Sequence, residues 1–97
     1  MDPRYLSNFP VNPRYLNFCR VHGRTPDEQC AYDSERWKGG SMVGFILWMS
    51  QQKRAFHRAH PEAFYDPRSS WAIVDYAAWD RWLDQTTDVL EGEPAVA

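Results

Sequence analysis

Two cysteines and three histidines are the side chains in this 97-residue chain most suited to binding a metal ion. Cys19 and His22 lie three positions apart, Cys30 follows, and His57 and His60 again lie three positions apart. Thiolates and imidazoles are preferred zinc ligands, and four of them complete a tetrahedral site. Their spacing matches no established zinc pattern, and a thiol on an apolar helix face also packs as a small hydrophobe. We expect no cofactor, and a metal site stays open.

Groups that could act as a catalytic nucleophile or as an acid pair are sparse. Ser41 and Cys19 are the notable nucleophile candidates, and neither lies in a nucleophile elbow or a recognised Cys–His motif. Ser41 follows two glycines and precedes an apolar run, which is typical of a helix N-cap. A hydrolase with paired carboxylates needs a cleft that separates their pKa values. Because the aspartates lie along a helix surface instead, we expect a protein that is not an enzyme.

Charge is distributed unevenly along the chain. Residues 1–60 carry nine Lys and Arg against five Asp and Glu, whereas residues 61–97 carry two against eight. Two groups stand out, a basic helix face and an acidic stripe with a spacing of four: Lys53, Arg54 and Arg58; Asp80, Asp84 and Asp88. Like charges four residues apart destabilise an isolated helix by about 0.2–0.5 kcal/mol per pair. We predict that these six residues bind a partner, with pairing between the two groups or plain solvation left open.

A protein partner suits this charge pattern better than a nucleic acid does. The basic face could meet phosphates, but the pI is about 5.8, whereas nucleic-acid-binding domains usually have a pI above about 9. The sequence therefore predicts a protein-binding module, with a nucleic-acid-binding accessory protein that uses the basic face as the alternative. A homodimer also stays open. The chain has five Trp in 97 residues, which is more large aromatic surface than one small core readily buries.

The composition predicts one ordinary globular domain. Hydrophobic residues make up 43% and charged residues 25% of the chain, which is typical of a folded domain. The longest apolar run, 42–49, is too short to cross a bilayer, and the charged N-terminus lacks the apolar region of a signal peptide. Two cysteines are too few for a disulfide framework. We therefore expect a cytoplasmic protein with no membrane association.

Helix-capping signals mark the first two helices. The segment Asp2–Leu6 recurs as Asn12–Leu16, and Asp or Asn before Pro is a helix start. The first copy has room for one turn, whereas the second predicts a helix that ends near His22, before Gly23. A capping box at 25–28 predicts a second, peripheral helix as far as residue 37 or 38, with Cys30 and Trp37 on its apolar side.

Two longer helices complete the predicted fold. Ser41 should cap a central helix over 42–59, buried on several sides, in which Gly44 allows another element to approach closely. Residues 61–70 form a connector, and 71–74 stay open between a helical turn and an extended piece. Asp75 should cap a last helix from 76 to about 90. We predict an all-α bundle of about four helices over 1–90, with a mobile tail over 91–97.

Two stretches, FCRVHGRTPDEQ at 18–29 and GGSMVGF at 39–45, resemble small proteins of unknown role from bacteriophage and prophage genomes. The resemblance covers about residues 12–64. It implies a short phage-type accessory protein that binds and inhibits a host factor or a defence complex. It supplies no site residues, and the acidic stripe lies outside it.

Overall fold

The computed structural model describes residues 12–94, which form four helices, a one-turn 3-10 helix and a two-stranded antiparallel sheet. In chain order the elements are α1 (Pro13–Val21), α2 (Pro26–Arg36), α3 (Val43–Ala59), the 3-10 helix (Pro61–Ala63), β1 (Phe64–Asp66), β2 (Ser70–Ile73) and α4 (Tyr76–Gln85). The mostly helical architecture with four helices is confirmed. The helical turn predicted at 2–6 lies outside the described residues.

The first two helices begin where their capping signals predict. Asn12 Oδ1 accepts a hydrogen bond from the Arg14 N–H at 2.9 Å, and the chain leaves α1 through Gly23, which has a φ of +67°. Thr25 Oγ1 accepts from the Glu28 N–H at 3.2 Å, and Glu28 Oε1 accepts from the Thr25 N–H at 2.9 Å. These two bonds complete the predicted capping box.

The buried side of α2 is the predicted one only in part, because Trp37 packs half-buried against the core but Cys30 does not. Cys30 is exposed, whereas Gln29 and Asp33 have no exposed surface. Gln29 Nε2 donates to Asp33 Oδ1 at 3.0 Å, so these buried polar groups partly satisfy one another. A Cβ at Gly44 of α3 would lie 3.0 Å from both carboxylate oxygens of Asp33. The predicted close approach at Gly44 is confirmed, and α2 is the element that approaches.

The start of α3 differs from the prediction, because Ser41 does not cap it. Met42 occupies the N-cap position with αR backbone angles, and no side chain bonds to the first turn. The preceding loop bonds through its own backbone instead: the Ser41 N–H donates to Gly39 O at 3.1 Å, and the Val43 N–H donates to Gly40 O at 3.2 Å. A side-chain cap is therefore replaced by turn hydrogen bonds.

Aromatic rings fill the core on the inner side of α3. Trp48 and Phe56 of α3 have no exposed surface. The ring of Phe18 in α1 lies 5.6 Å from that of Trp48, and Trp79 in α4 lies 5.1 Å from Phe56. Large rings bury 150–250 Å² each, so a few of them suffice for a core in a chain of this size. The remainder of the fold positions other side chains around this aromatic layer.

The all-α prediction is wrong at residues 64–73, which form a hairpin. β1 and β2 pair antiparallel, with Phe64 opposite Ile73 and Asp66 opposite Ser70. Asp66 Oδ1 accepts from the Arg68 N–H at 3.1 Å and so stabilises the turn. The sequence left residues 71–74 open between a helical turn and an extended piece, and the structure shows them extended as far as Ile73. Strands of three and four residues show too little alternation to be recognised from sequence.

The last helix begins at its predicted cap but ends well before residue 90. Asp75 Oδ1 accepts from the Ala78 N–H at 3.1 Å, and α4 ends at Gln85. Arg20 of α1 donates through Nη2 to the carbonyl oxygens of Leu83 at 3.0 Å and Thr86 at 3.2 Å. The guanidinium thus provides a partner for carbonyls at the end of the helix. The predicted extension to Leu90 is wrong, since the chain leaves the helix at this contact.

Residues 86–93, which we call the C-terminal strap, cross the core and are held by side chains of the helices. Trp48 Nε1 donates to the Asp88 carbonyl at 2.8 Å, and His22 Nε2 accepts from the Leu90 N–H at 3.0 Å. The Glu93 side chain is only 4% exposed and pairs with Arg36 of α2. Packing therefore continues past the predicted domain boundary at 90. Residues 95–97 lie outside the described part, and the mobility predicted for the tail stays a prediction.

Candidate functional site

The outer side of α3 exposes large apolar side chains in its first two turns. Met42 is 48% exposed, Ile46 62% and Leu47 46%. Single exposed hydrophobic residues are common on protein surfaces, whereas a contiguous group marks an interaction surface. Positions 42 and 46 are four apart and therefore neighbours on the helix surface, and position 47 lies 100° further round. These three side chains form an apolar group that no helix, strand or strap segment within residues 12–94 buries.

The cations predicted from the sequence continue the same side of α3. Arg54 and Arg58 are exposed, and Lys53 is half-buried. At 100° per residue, they and the apolar group share an arc of about 160°. We call these six residues the α3 outer face: Met42, Ile46, Leu47, Lys53, Arg54 and Arg58. No ion pair found among residues 12–94 involves any of the three cations.

The helices and the C-terminal strap pack against the opposite side of α3, and the hairpin contacts the arc of this face at His57. The buried residues of the helix are Gly44, Trp48, Gln52 and Phe56, which are spaced four apart along a single line. α1, α4 and the C-terminal strap all pack against that line. The prediction of a helix buried on several sides is therefore wrong for the first turns, where apolar residues occupy both sides and only one is covered.

The hairpin borders the basic part of the α3 outer face. The Trp71 ring stacks on the His57 ring with centroids 3.9 Å apart and planes 8° from parallel. His57 Nε2 lies 2.9 Å from the Pro67 carbonyl oxygen, which can only accept, so Nε2 donates its proton there. Trp71 remains 44% exposed. A partly exposed aromatic ring therefore lies beside the cations, fixed by stacking and by the His57 hydrogen bond.

Two of the three predicted acidic residues are engaged by α1. Asp80 Oδ1 lies 3.0 Å from Arg14 Nη2, and Asp84 Oδ1 accepts from Asn17 Nδ2 at 2.8 Å. Asp88 is exposed, but it lies in the strap and not on the helix. Arg14 of α1 is thus the positive group that faces the acidic stripe, and it pairs with Asp80, the first of the three aspartates. Their assignment as partner-binding residues stays a prediction.

The acidic and the basic groups do not pair with each other. Within the described range 12–94, no ion pair joins Lys53, Arg54 or Arg58 to an aspartate of the stripe. The alternative in which the two groups compensate one another is therefore not what the structure shows. Arg54 and Arg58 of the basic group are exposed, and Lys53 is half-buried.

The candidate metal ligands have other partners or lie apart. His22 is buried; its Nδ1 lies 2.7 Å from the Phe18 carbonyl oxygen, and its Nε2 accepts from the Leu90 N–H. Burial raises the pKa of the Cys19 thiol to about 12, which disfavours the thiolate that binds metals. Across residues 12–94, no group of three or more His, Cys, Asp or Glu side chains has a geometry that could hold a metal ion.

The folded structure disfavours the charged form of the Asp33 carboxyl, which is buried. Burial raises its pKa above the ordinary value of 3.8, the Gln29 hydrogen bond works in the opposite direction, and Oδ2 has no hydrogen-bond partner. A carboxyl that binds its proton more tightly in the folded state contributes stability that is complete below the ordinary pKa and is lost as pH rises.

Replacing Asp33 by Asn is therefore expected to raise the free energy of unfolding at pH 8 by about 1–3 kcal/mol, the scale of an unsatisfied buried polar group. The gain should shrink towards pH 4, because the wild-type carboxyl regains its proton there. Urea unfolding at both pH values measures the difference. A gain in the free energy of unfolding that is the same at pH 4 and pH 8, or a loss at pH 8, would show that folding does not disfavour the charged form of the Asp33 carboxyl.

Comparison of this chain with protein-family models, with curated proteins and with solved structures finds no match. Among residues 12–94, no helix combines the length and the apolar character needed to cross a bilayer. The physical properties of the surface therefore carry the functional argument.

Proposed function

We propose that this chain is a small non-enzymatic protein-binding module that docks through the α3 outer face. The observation that carries the proposal is that exposed apolar side chains and cations without an ion-pair partner among residues 12–94 share one side of one helix. Apolar anchors provide affinity, and charges around them set the encounter rate and the orientation. Such a surface needs no cleft and no reactive group, which fits a stoichiometric binder.

The resemblance to phage and prophage proteins extends this proposal to the identity of the partner. It suggests a host factor or a defence complex, which the bound chain inhibits by covering a surface that the partner needs. This role places the protein in the cytoplasm. The acidic residues Asp80, Asp84 and Asp88 are proposed as a second contact, subordinate to α3 because α1 engages the first two.

Reversing two charges of the face tests the proposal. The combination of Arg54→Glu and Arg58→Glu is expected to weaken association with the protein captured by the wild-type chain by about 10-fold or more, because exposed ion pairs contribute up to about 1 kcal/mol each and reversal adds repulsion. Quantitative capture from host lysate, followed by titration of the purified partner, measures the change.

The matched control for a single reversal, Arg58→Glu, is Arg81→Glu, because both change the net charge by two units and Arg81 is an exposed arginine on α4. It changes the net charge in the same direction but leaves α3 intact, and it should retain the partner with less than about a 3-fold change. Equal losses for both variants would mean that net charge and not the α3 outer face governs binding.

Binding of a single-stranded nucleic acid is the second candidate, and it is favoured by the Trp71 ring beside the cations. Exposed aromatic rings in a basic surface stack on bases. A gel shift at low salt with single- and double-stranded DNA and RNA tests it. Binding that Trp71→Ala abolishes would support this candidate, whereas no shift at micromolar protein would remove it.

A further inference from the structure

The α3 outer face has a polarity along its length that constrains what can cover it. Its apolar side chains lie in the first two turns, at Met42, Ile46 and Leu47, and its cations lie in the last turns, from Lys53 to Arg58. α3 contains no Asp or Glu. Glu62, which follows the helix, bonds to His60 at 3.1 Å. One end of the surface is therefore complementary to apolar side chains of a partner, and the other end is complementary to acidic side chains.

A second α3 outer face complements this face poorly. If two α3 outer faces paired antiparallel along their full length, the cations of each would press against the apolar group of the other. If they paired parallel, cations would meet cations. Unpaired charges at a contact cost desolvation, and like charges repel. The polarity of the face thus favours a partner surface other than a second α3 outer face.

We infer that the α3 outer face receives an amphipathic helix of a partner protein that lies antiparallel to α3, with acidic residues in its first turns and apolar residues in its last turns. This inference rests on the proposed function and names the chemistry of the partner. In the antiparallel arrangement, the first turns of the partner helix lie beside Arg54 and Arg58, and its last turns lie on Ile46 and Leu47.

General helix physics supports the same orientation. Acidic residues stabilise the N-terminal turn of a helix, because they face the positive end of its dipole. The acids that pair with the α3 cations are therefore also well placed in their own helix. Residues 42–58 span about 24 Å at 1.5 Å per residue, so a partner segment of about 16 residues covers the face.

Two designed peptides of identical composition test the orientation. The first carries Glu in its first two turns and Leu in its last two, and the second has the reverse order; both carry a fluorescent label. Fluorescence anisotropy with the full chain measures binding. The acid-first peptide is expected to bind at least about 10-fold more tightly than the reversed one, which corresponds to one close charge interaction.

Variants of the chain connect this preference to the named residues. The combination of Arg54→Glu and Arg58→Glu should weaken binding of the acid-first peptide by about 10-fold or more, and Arg81→Glu should leave it unchanged within about 3-fold. A third peptide with Lys in place of Glu should bind the doubly reversed variant better than it binds the wild type. Circular dichroism of each variant shows that the fold is retained.

Several results would overturn the inference. These are equal or tighter binding of the reversed peptide, tighter binding of phosphatidylglycerol vesicles or a single-stranded oligonucleotide, and a homodimer that the acid-first peptide disrupts in sedimentation. Failure of both peptides also overturns it. In that case the docking proposal still stands if Arg54→Glu with Arg58→Glu loses the captured partner, and it fails together with the helix inference if capture is unaffected.

Discussion

Replacing Trp48 by Ala is expected to lower the free energy of unfolding by about 3–5 kcal/mol. Trp48 has no exposed surface, packs against Phe18 and donates from Nε1 to the Asp88 carbonyl. The substitution leaves a cavity in the core and removes one attachment of the C-terminal strap. Because small domains are stable by only about 5–15 kcal/mol, the variant should lie close to its unfolding threshold. Urea titration followed by circular dichroism measures the loss.

The control for Trp48→Ala is the same substitution at Trp71. Trp71 is 44% exposed and makes its main described contacts with His57 and Phe64 of the α3–hairpin contact. Loss of this peripheral stacking should cost about 0.5–1.5 kcal/mol. If the two tryptophans proved equally costly, the assignment of the core to the inner side of α3 would be wrong.

Local signals in the sequence predicted the local structure well. Asn12, Thr25 and Asp75 cap their helices as expected, because each cap depends on a side chain and an N–H two or three residues away. Gly44 was also read correctly as a point of close approach. These features depend on chemistry within one turn, or on the absence of a side chain, and both can be read without knowing the fold.

Two of the errors, the end of α4 and the course of the strap, arise where distant residues decide the outcome, whereas the missing Ser41 cap and the hairpin depend on local contacts. α4 ends at Gln85 because Arg20, more than sixty positions away in sequence, bonds to carbonyls at its end. The strap after it is held by Trp48 and His22, through bonds to backbone groups that any residue provides. A hydrophobic pattern carries no information on such contacts, since the segment's own side chains do not make them.

The candidate site was half predicted from sequence. The sequence predicts the basic side with Lys53, Arg54 and Arg58, whose role in binding stays a prediction, but burial of the central helix on several sides is wrong at Met42, Ile46 and Leu47. The misassignment followed from apolar residues on all sides of the first two turns, which usually indicates burial. The cations lie on the same arc as Ile46 and Leu47, so a solvent-facing basic side implies that these apolar residues face outward too.

Replacing Ile46 by Glu is expected to weaken association with the captured partner by about 100-fold or more. The side chain is 62% exposed and lies between Met42 and Leu47, the other two apolar anchors, along the helix. Loss of a central anchor costs about 2 kcal/mol or more, and a carboxylate next to an apolar contact adds its desolvation. Glu is also a good helix former, so the fold should remain intact, as thermal unfolding can verify.

The most direct test is a comparison of dissociation constants for the wild type, Ile46→Glu and Val74→Glu, measured by calorimetry against the same purified partner. Val74 is 58% exposed and lies outside α3, at the end of the hairpin. Docking through α3 predicts a loss of about 100-fold at position 46 and less than about 3-fold at position 74. Comparable constants for both variants, or a larger loss at Val74, would contradict docking through this face.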